Sequence, residues 1–258
     1  MRFEILNVEH GFCAYAMGSD GGVLLFDCGH SSTIRPSTYL PDRGIRHIRR
    51  LFVTNYDEDH ISDLLAVREN LVIEMLTRST LTSDQIRSLK EAPISSAMTE
   101  LLRMVDTFTG SVLPERLNPA GTQAWVFQNN YPDFTDTNNL SLLTFLDVGH
   151  LSFALGGDLE RAGWLALLRN AQVQELLKRV NVFVASHHGR ESGYCAEVFD
   201  YCQPSLIVMS DGPIRHGTQA MANVYGQHAS GNVFKTPSGE ELRRVVTTRN
   251  DGNIFWDF

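Results

Sequence analysis

Side chains of the kinds that bind metal ions crowd one short stretch of this sequence. The stretch "FVTNYDEDHISDL", residues 52–64, places Asp57, Asp59 and His60 directly after an apolar, strand-like run. A solvated turn carries acids easily, but Ile61 and the leucines behind it have the spacing of a helix that enters the core. Carboxylates and imidazoles are ligands of zinc, manganese and iron. We therefore interpret the stretch as a modified metal-binding loop rather than an ordinary acidic turn.

Candidate ligands recur after other strand-like runs. A lone acid after a strand is usually a turn former or a helix N-cap, and a lone histidine pair usually lies on the surface. Here each polar cluster follows a strand end, and the carboxyl ends of strands in α/β sheets meet at one edge. The further candidates are Asp27 after "VLLF", Asp158 after "LSFALGG", His187 and His188 after "NVFVAS", and His216 after "SLIVMSDG". Together they predict one metal-binding site.

The elements that must position these residues are predicted to form a single α/β domain over residues 1–258. Short strands dominate the first fifty-five residues, and helical patterns such as "DLLAVRENLVIEML" and "SSAMTELLRMVDTF" follow between about 61 and 113. Strands and helices then alternate, with one helix predicted for "RAGWLALLRNAQVQELLKR" and a hairpin for "ELRRVVTTRNDGNIFWDF". This order is typical of a layered α/β sandwich with a helical insertion.

Composition excludes several classes of protein. A chain of 258 residues with 43% hydrophobic residues is globular. It has no apolar run of the roughly 18–20 residues that cross a bilayer, and its alternating start suggests no secretory leader, so we expect a cytoplasmic protein without a membrane partner. The four cysteines lack paired metal-type spacing and are predicted to be free thiols. The net charge of −8 argues against a broad basic surface for duplex nucleic acid. It leaves a phosphodiester substrate possible, because a metal neutralises phosphate locally.

In combination, the motifs resemble those of the metallo-β-lactamase fold. "NYDEDH" resembles the His-x-His-x-Asp-His signature of that fold, with Asn55 and Asp57 in place of the two leading histidines. The wider pattern is similar to the hydrolase domain of the DNA-uptake channel proteins of bacterial competence and its free-standing relatives. The segments that carry this resemblance are "NVEHGFC", "LLFDCG", "NNLSLL", "LGGDLE", "VASHHG" and "RRVVTTRNDGNIFW". It covers nearly the whole chain except about 65–120.

The resemblance implies a four-layer αββα sandwich with a metal site between its two sheets. In two-metal members the leading histidines serve the first metal, the Asp-His pair serves the second, and an aspartate from the Gly-Asp element bridges both. Carried over to this sequence, Asp59, His60, Asp158 and either His187 or His188 form the second site.

The first metal site is expected to be degraded or altered. A carboxamide such as Asn55 is a weak zinc ligand, and a carboxylate such as Asp57 is a hard one. One divalent ion, zinc or manganese, at the second site is the favoured expectation. Two hard ions bound with the help of Asp57, or an empty site, remain alternatives.

Roles for individual residues follow from metal chemistry. A bound divalent ion lowers the pKa of its water from 15.7 to roughly 7, which makes hydroxide available at neutral pH. The resemblance implies that Asp59 lies between metal and nucleophile, so Asp59 is expected to accept the proton of the water. Asp27 is expected to orient a ligand from behind. His216 protonates the leaving group or holds phosphate in this hypothesis, and a simple loop histidine is an equal alternative.

Other polar residues are candidates for the substrate. Asn138, Asn139 and Ser141 in "NNLSLL" have groups that can hydrogen-bond substrate, although a structural turn before the next strand explains them equally well. His10 in "VEHGF" is a weaker candidate for the same opening.

The function predicted from these features is metal-dependent hydrolysis of phosphodiester bonds, by a nuclease or a nucleotide phosphodiesterase. One alternative is hydrolysis of another ester or amide, because a fold does not fix its substrate. Another is a regulatory or binding module whose metal site has eroded. The helical insertion is a candidate lid, homo-oligomer surface or docking platform for a partner protein, although apolar stripes like its own are usually core packing.

Overall fold

Two six-stranded mixed sheets form the centre of the protein. The computed structural model describes residues 1–90, 93–110, 117–213, 220–236 and 239–258. The first sheet, with strands numbered along the chain, has the order β16 (Ile254–Asp257), β1 (Arg2–Ile5), β2 (Ala14–Met17), β3 (Val23–Phe26), β5 (Arg50–Phe52) and β7 (Leu76–Thr77). The second has the order β15 (Val245–Thr247), β12 (Leu206–Met209), β11 (Val182–Val184), β10 (Leu151–Leu155), β9 (Leu143–Val148) and β8 (Thr122–Phe127).

Two short ribbons accompany these sheets. Strand β4 (His47–Ile48) pairs in parallel with β6 (Val72–Ile73). Strand β13 (Asn232–Thr236) pairs antiparallel with β14 (Gly239–Arg243).

Helices cover the outer face of each sheet. Those on the first sheet are α1 (Pro36–Asp42), α2 (Glu58–Ile61), α3 (Leu64–Asn70), α4 (Ser83–Ser88) and α5 (Ser96–Thr107). Those on the second are α6 (Arg161–Leu167), α7 (Ala171–Leu177) and α8 (Ala222–Gly226). A short helix, α9 (Thr248–Asp251), links β15 to β16. No helix within the described residues is long and apolar enough to cross a membrane.

The side chains of the sheets alternate between two cores. In β3, Leu24 and Phe26 pack between the two sheets, whereas Val23 and Leu25 pack beneath the outer helices. Because successive side chains of a strand point to opposite faces, a strand buried on both faces is apolar throughout. Fully burying a leucine or phenylalanine contributes about 1.5–3 kcal/mol, so both faces stabilise the sheet. The predicted four-layer αββα sandwich is confirmed.

The insertion after α2 is less helical than its pattern suggested. The helix predicted over "DLLAVRENLVIEML" ends at Asn70, and the β-branched pair Val72 and Ile73 forms β6. Strand β7 then joins the first sheet, where the backbone N–H groups of Leu51 and Val53 donate to carbonyls of the 75–77 segment. The apolar stripe of α5 is buried in the core outside the first sheet, where α5 packs against α2, α3 and α4 as ordinary core packing.

Two further elements differ from their predicted form. The prediction of a terminal hairpin is wrong. Strand β15 pairs in parallel with β12 in the second sheet, whereas β16 pairs antiparallel with β1 in the first. The helix predicted over "RAGWLALLRNAQVQELLKR" is two helices, since the side chain of Asn170 accepts a hydrogen bond from Gln172 N and begins α7 anew. Local patterns indicate strand and helix here, but the sheet that a strand joins depends on packing far along the chain.

Gly29 lets the backbone of Asp59, in α2, approach the segment that follows β3. The N–H of Gly29 donates to Phe12 O at 3.0 Å, and the N–H of Phe12 donates to Asp59 O at 3.2 Å. A Cβ atom at Gly29 would lie 2.2 Å from Asp59 O and 2.8 Å from Phe12 O. All of these neighbours are backbone atoms, so they have little freedom to move aside.

The substitution Gly29→Ala should therefore lower the free energy of unfolding by about 1–3 kcal/mol, the usual cost of overpacking. The matched control is Gly110→Ala, because a Cβ at Gly110 meets nothing within 4 Å. Its effect should stay within about 0.5–1 kcal/mol. Urea unfolding followed by circular dichroism measures both, and equal midpoints for the two variants would contradict this packing argument.

Candidate metal centre

The candidate ligands lie where strands of both sheets end. Asp59 and His60 lie in α2, which follows β5, while Asp158 follows β10 and His188 follows β11. Strands β3 and β5 run parallel in the first sheet, as do β10, β11 and β12 in the second. Their carboxyl ends consequently meet at one edge of the sandwich, where residues distant in sequence come together.

The four side chains form a compact cluster. One ligand atom from each of Asp59, His60, Asp158 and His188 lies within 4.8 Å of the other three. The Nε2 atoms of His60 and His188 are 3.0 Å and 3.5 Å from Oδ1 of Asp158. The Nε2 of His188 is also 3.2 Å from Oδ2 of Asp59. Three members are buried, whereas the Asp59 side chain is 34% exposed, so the cluster meets solvent on the Asp59 side.

Asp27 fixes the orientation of His60 from behind. It is fully buried, and its Oδ2 lies 2.7 Å from His60 Nδ1. The same carboxylate accepts hydrogen bonds from the N–H of Thr54 at 2.6 Å and from its hydroxyl at 2.5 Å. We assign the Nδ1–H tautomer to neutral His60, which leaves the lone pair of Nε2 directed at Asp158. Asp27 thus contacts a candidate ligand and not the opening of the site, and its role as an orienting residue stays a prediction.

A main-chain carbonyl orients His188 in the same way. Its Nδ1 lies 2.8 Å from the carbonyl oxygen of Ser210, and because a carbonyl only accepts, Nδ1 must carry hydrogen. Ser210 is itself fixed, since its hydroxyl donates to Gly11 O at 2.8 Å. The lone pair of neutral His188 therefore also lies on Nε2, facing the cluster.

His187 has other partners. Its Nε2 accepts from Arg190 at 3.3 Å, and its Nδ1 lies 2.9 Å from the hydroxyl of Ser192. Both histidines have left-handed backbone conformations, with φ of 52° and 56°, a geometry that costs non-glycine residues about 1–3 kcal/mol. The structure thus brings His188 into the cluster and leaves His187 outside it.

The charges of the cluster are strongly coupled. Burial lowers the pKa of His60, but the nearby Asp158 and Asp27 outweigh burial and raise it well above its usual value. Burial likewise disfavours ionised Asp158, but the charges of His60 and His188 lower the pKa of this carboxyl. Without a cation, the carboxylates therefore keep protons on the imidazoles. A divalent ion must displace those protons, so its binding should weaken as the pH falls.

These residues fit a divalent transition metal. The Nε2 atoms of His60 and His188 are buried and face carboxylate oxygens of Asp158 and Asp59. A tetrahedral zinc ion with bonds of about 2.0–2.1 Å holds its ligand atoms about 3.3 Å apart. Three of the six separations, 3.0, 3.2 and 3.5 Å, bracket that value, and all six lie within 4.8 Å. Two imidazole nitrogens and two carboxylates suit zinc or manganese.

Comparison with known sequences finds similarity to one family model and to one curated protein. Residues 14–74 match the family model described as the Metallo-beta-lactamase superfamily. The ComE operon protein 3 of Bacillus subtilis (strain 168) is 24% identical over 177 residues, which are 67% of this chain and 21% of that protein. The chain therefore spans about a fifth of the length of this curated relative.

Solved structures agree over the whole chain. The metallo-beta-lactamase fold protein YhfI from Bacillus subtilis is 10% identical, with a TM-score of 0.56 and 100% of both chains covered. The Zn(2+)-bound PqqB from Methylobacterium extorquens is 11% identical, with a TM-score of 0.53 and the same coverage. The chain has the metallo-β-lactamase fold. The diiron β-hydroxylase CmlA from Streptomyces venezuelae shares the fold, with 13% identity, a TM-score of 0.58, and coverage of 99% of this chain and 54% of CmlA. At these identities the likeness shows the fold alone.

In this metallo-β-lactamase fold, Asn55 and Asp57 have internal partners. Asn55 is buried, its Oδ1 accepts from Asp57 N at 2.7 Å, and its Nδ2 donates to the hydroxyl of Ser141 at 3.1 Å. Oδ1 of Asp57 accepts from the Lys90 ammonium and from the Thr137 hydroxyl. The structure thus brings Asp57, a predicted ligand, to Lys90 and not into the cluster.

The candidate substrate-binding residues contact the protein itself. Asn139 is buried, and its Oδ1 accepts from Gly163 N at 2.8 Å near the start of α6. The buried Ser141 hydroxyl accepts from Asp158 N at 3.1 Å and so helps to position that ligand. Half-buried Asn138 donates to Glu160 at 3.3 Å and is the most exposed of the three. Their role toward substrate stays a prediction.

Two histidines considered from the sequence remain untested. His216 lies outside the described residues. His10 packs beside Gly212, in the segment that follows Ser210.

Sequence reasoning missed three residues that contact the site. The carbonyl of Ser210 orients His188, and the side chains of Lys90 and Thr137 hold Asp57. Ser210 follows the strand "LIVM" and could have been noticed as a polar strand end. No local signal marks Lys90, because its position depends on how the insertion folds back over α2.

The pair His188→Ala and His187→Ala tests the assignment of the ligands. His188→Ala removes a nitrogen that faces the cluster, so the affinity for zinc should fall at least tenfold to a hundredfold. His187→Ala, the adjacent control with the same strained backbone, should retain metal. Elemental mass spectrometry of chelator-free protein measures the bound metal per chain, and the reverse outcome would reject the assignment of His188.

Proposed function

We propose that this protein is a metal-dependent hydrolase of phosphodiester bonds, acting as a nuclease or nucleotide phosphodiesterase with one bound ion. The observation that carries the proposal is the convergence of two buried Nε2 atoms on the carboxylates of Asp59 and Asp158. The match of residues 14–74 to the superfamily model supports metal dependence. The cluster supplies ligands for one ion, and Asp57 is engaged elsewhere.

Each residue of the cluster has a defined task. When bound, a divalent ion lowers the pKa of water to near 7 and stabilises negative charge on oxygen. His60, His188, Asp158 and one oxygen of Asp59 would hold that ion, while Asp27 and the Ser210 carbonyl would keep the imidazoles oriented toward it. Asp59 is the most exposed member of the cluster, and in this proposal its other carboxylate oxygen accepts the proton of the attacking water. Burial raises the pKa of Asp59, but His188 and His60 outweigh it and lower that pKa, so the carboxyl is ionised and able to accept.

A bound divalent ion, with Lys90 and Arg190 nearby, would favour an anionic substrate of modest size. Lys90 lies beside the site through its contact with Asp57, and Arg190 through its contact with His187. The overall charge of −8 opposes binding along a long polyanion. A nucleotide or short phosphodiester satisfies both conditions.

A regulatory or binding module is the second candidate. The internal engagement of Asn55 and Asp57 favours it, because these positions lack free groups to hold another ion. The complete set of four ligands weighs in favour of a working hydrolase.

Turnover of bis-p-nitrophenyl phosphate by metal-free protein supplied with zinc, manganese or magnesium tests the proposal. We expect turnover with at least one ion and a loss of about 10²–10⁴-fold in Asp59→Asn, the usual worth of a general base. The control Asp106→Asn, at an exposed position of α5, should keep wild-type activity. Full activity in Asp59→Asn would reject its role. Tight metal binding without turnover by any ion would favour the regulatory module.

A further inference from the structure

The short helix α2 presents different side chains on two sides. Asp59 and His60 contact His188 and Asp158 in the cluster. The two residues just before them face another part of the chain: Asp57 pairs with Lys90, and the Glu58 carboxylate accepts from the Ser95 hydroxyl at 2.7 Å. A cation and the metal cluster therefore flank the same turn of backbone.

Lys90 is held in place rather than free in solvent. Its side chain is only 19% exposed, and its ammonium group binds Oδ1 of Asp57. The Thr137 hydroxyl donates to the same oxygen at 3.0 Å, so two donors fix this carboxylate. An ammonium group has three donors, and the Lys90 ammonium uses one of them to bind Asp57. Donors thus remain for an anion that enters from the open side.

A cavity lies beside this ammonium group. Lys90 and Glu58 line its polar side, and Ile94 and Met98 line its apolar side. Its volume is about 150 Å³. Lys90 is the cation of this pocket, and the apolar wall suits an apolar or aromatic substituent. The Glu58 carboxylate on the polar side already accepts a hydrogen bond from Ser95.

The loop 137–141 connects this cavity to the metal cluster. Thr137 holds Asp57, while Ser141 accepts from the backbone N–H of Asp158. Asn55 bridges the two ends, since its amide donates to the Ser141 hydroxyl and its oxygen accepts from Asp57 N. The position of the lysine is thereby coupled to that of a metal ligand.

We propose that Lys90 binds the phosphate of the substrate next to the metal cluster, with the substituent of that phosphate in the adjacent cavity. This inference rests on the proposed function and deepens it. Lys90 places positive charge on the side of the site where Asn55 and Asp57 stand. This role also explains why position 57 is an aspartate, because a carboxylate anchors an ammonium group and a histidine at that position would not.

Binding of inorganic phosphate to metal-supplied protein, measured by isothermal titration calorimetry, tests the role of Lys90 without turnover. Hydrogen bonds to charged groups are strong enough that Lys90→Ala should weaken phosphate binding about tenfold to a hundredfold. Lys90→Arg keeps the charge and should retain most of the affinity. The control Lys178→Ala removes an exposed lysine paired with Glu175 and should bind phosphate like the wild type. Metal content should be the same in all four proteins.

Kinetics with two substrates separate charge recognition from general damage. Lys90→Ala should raise KM for the anionic bis-p-nitrophenyl phosphate about tenfold or more, and should change KM for neutral p-nitrophenyl acetate less than twofold. Equal phosphate affinity and equal KM in wild type and Lys90→Ala would overturn this inference and leave the hydrolase proposal standing. Lys90-dependent phosphate binding without turnover of either ester would overturn the hydrolase proposal instead. If Lys90→Ala fails to fold or loses metal, Lys90→Arg decides: wild-type phosphate affinity supports the inference, and lost affinity overturns it.

Discussion

The buried contact of His60 with two carboxylates is the interaction on which the site depends. Nδ1 of His60 faces Asp27 at the end of β3, and Nε2 faces Asp158 beyond β10, so one imidazole ring joins the two sheets. Removing such charged groups from water costs several kcal/mol per ion, and their mutual attraction seldom recovers more than that. Apolar side chains could fill this edge of the sandwich at a lower cost. The presence of a costly charged cluster there is a reason to connect it with cation binding.

The rest of the site follows from that contact. Gly29 allows the backbone of Asp59 to approach β3, which brings α2 close enough for His60 to meet Asp158. On the side of the second sheet, the carbonyl of Ser210 sets the tautomer of His188, and the hydroxyl of Ser141 accepts a hydrogen bond from the backbone N–H of Asp158. Because Ser210 and Ser141 are buried, small changes in either sheet alter the spacing of the four ligand atoms. The strained backbone at His187 and His188 is in keeping with a site where geometry takes precedence over local preference.

Much of the fold was open to prediction from sequence because it rests on local patterns. Strands such as β3 and β5 are short apolar runs, and the acids and histidines behind them point to one sheet edge. The choice between His187 and His188 was closed to such reasoning, since it depends on φ angles and on contacts with Arg190 and Ser210. The separation of β15 from β16 was equally hidden, because a turn signal does not state which sheet the next strand joins.

The fate of Asp57 shows the same limit most clearly. Its carboxylate is a good ligand in isolation, but Lys90, 33 residues away, and Thr137, 80 residues away, occupy one of its oxygens. The sequence shows that such a residue is able to bind a metal ion, but only the fold shows which group it contacts. The partner found here is a cation, so the Asp57 carboxylate is neutralised without a second ion.

Anomalous diffraction from crystals grown with zinc tests this account most directly. We predict one anomalous peak, within bonding distance of Asp59, His60, Asp158 and His188, with the Lys90 ammonium group still beside Asp57. A second peak bonded to Asp57, or a single peak away from these four side chains, would contradict it.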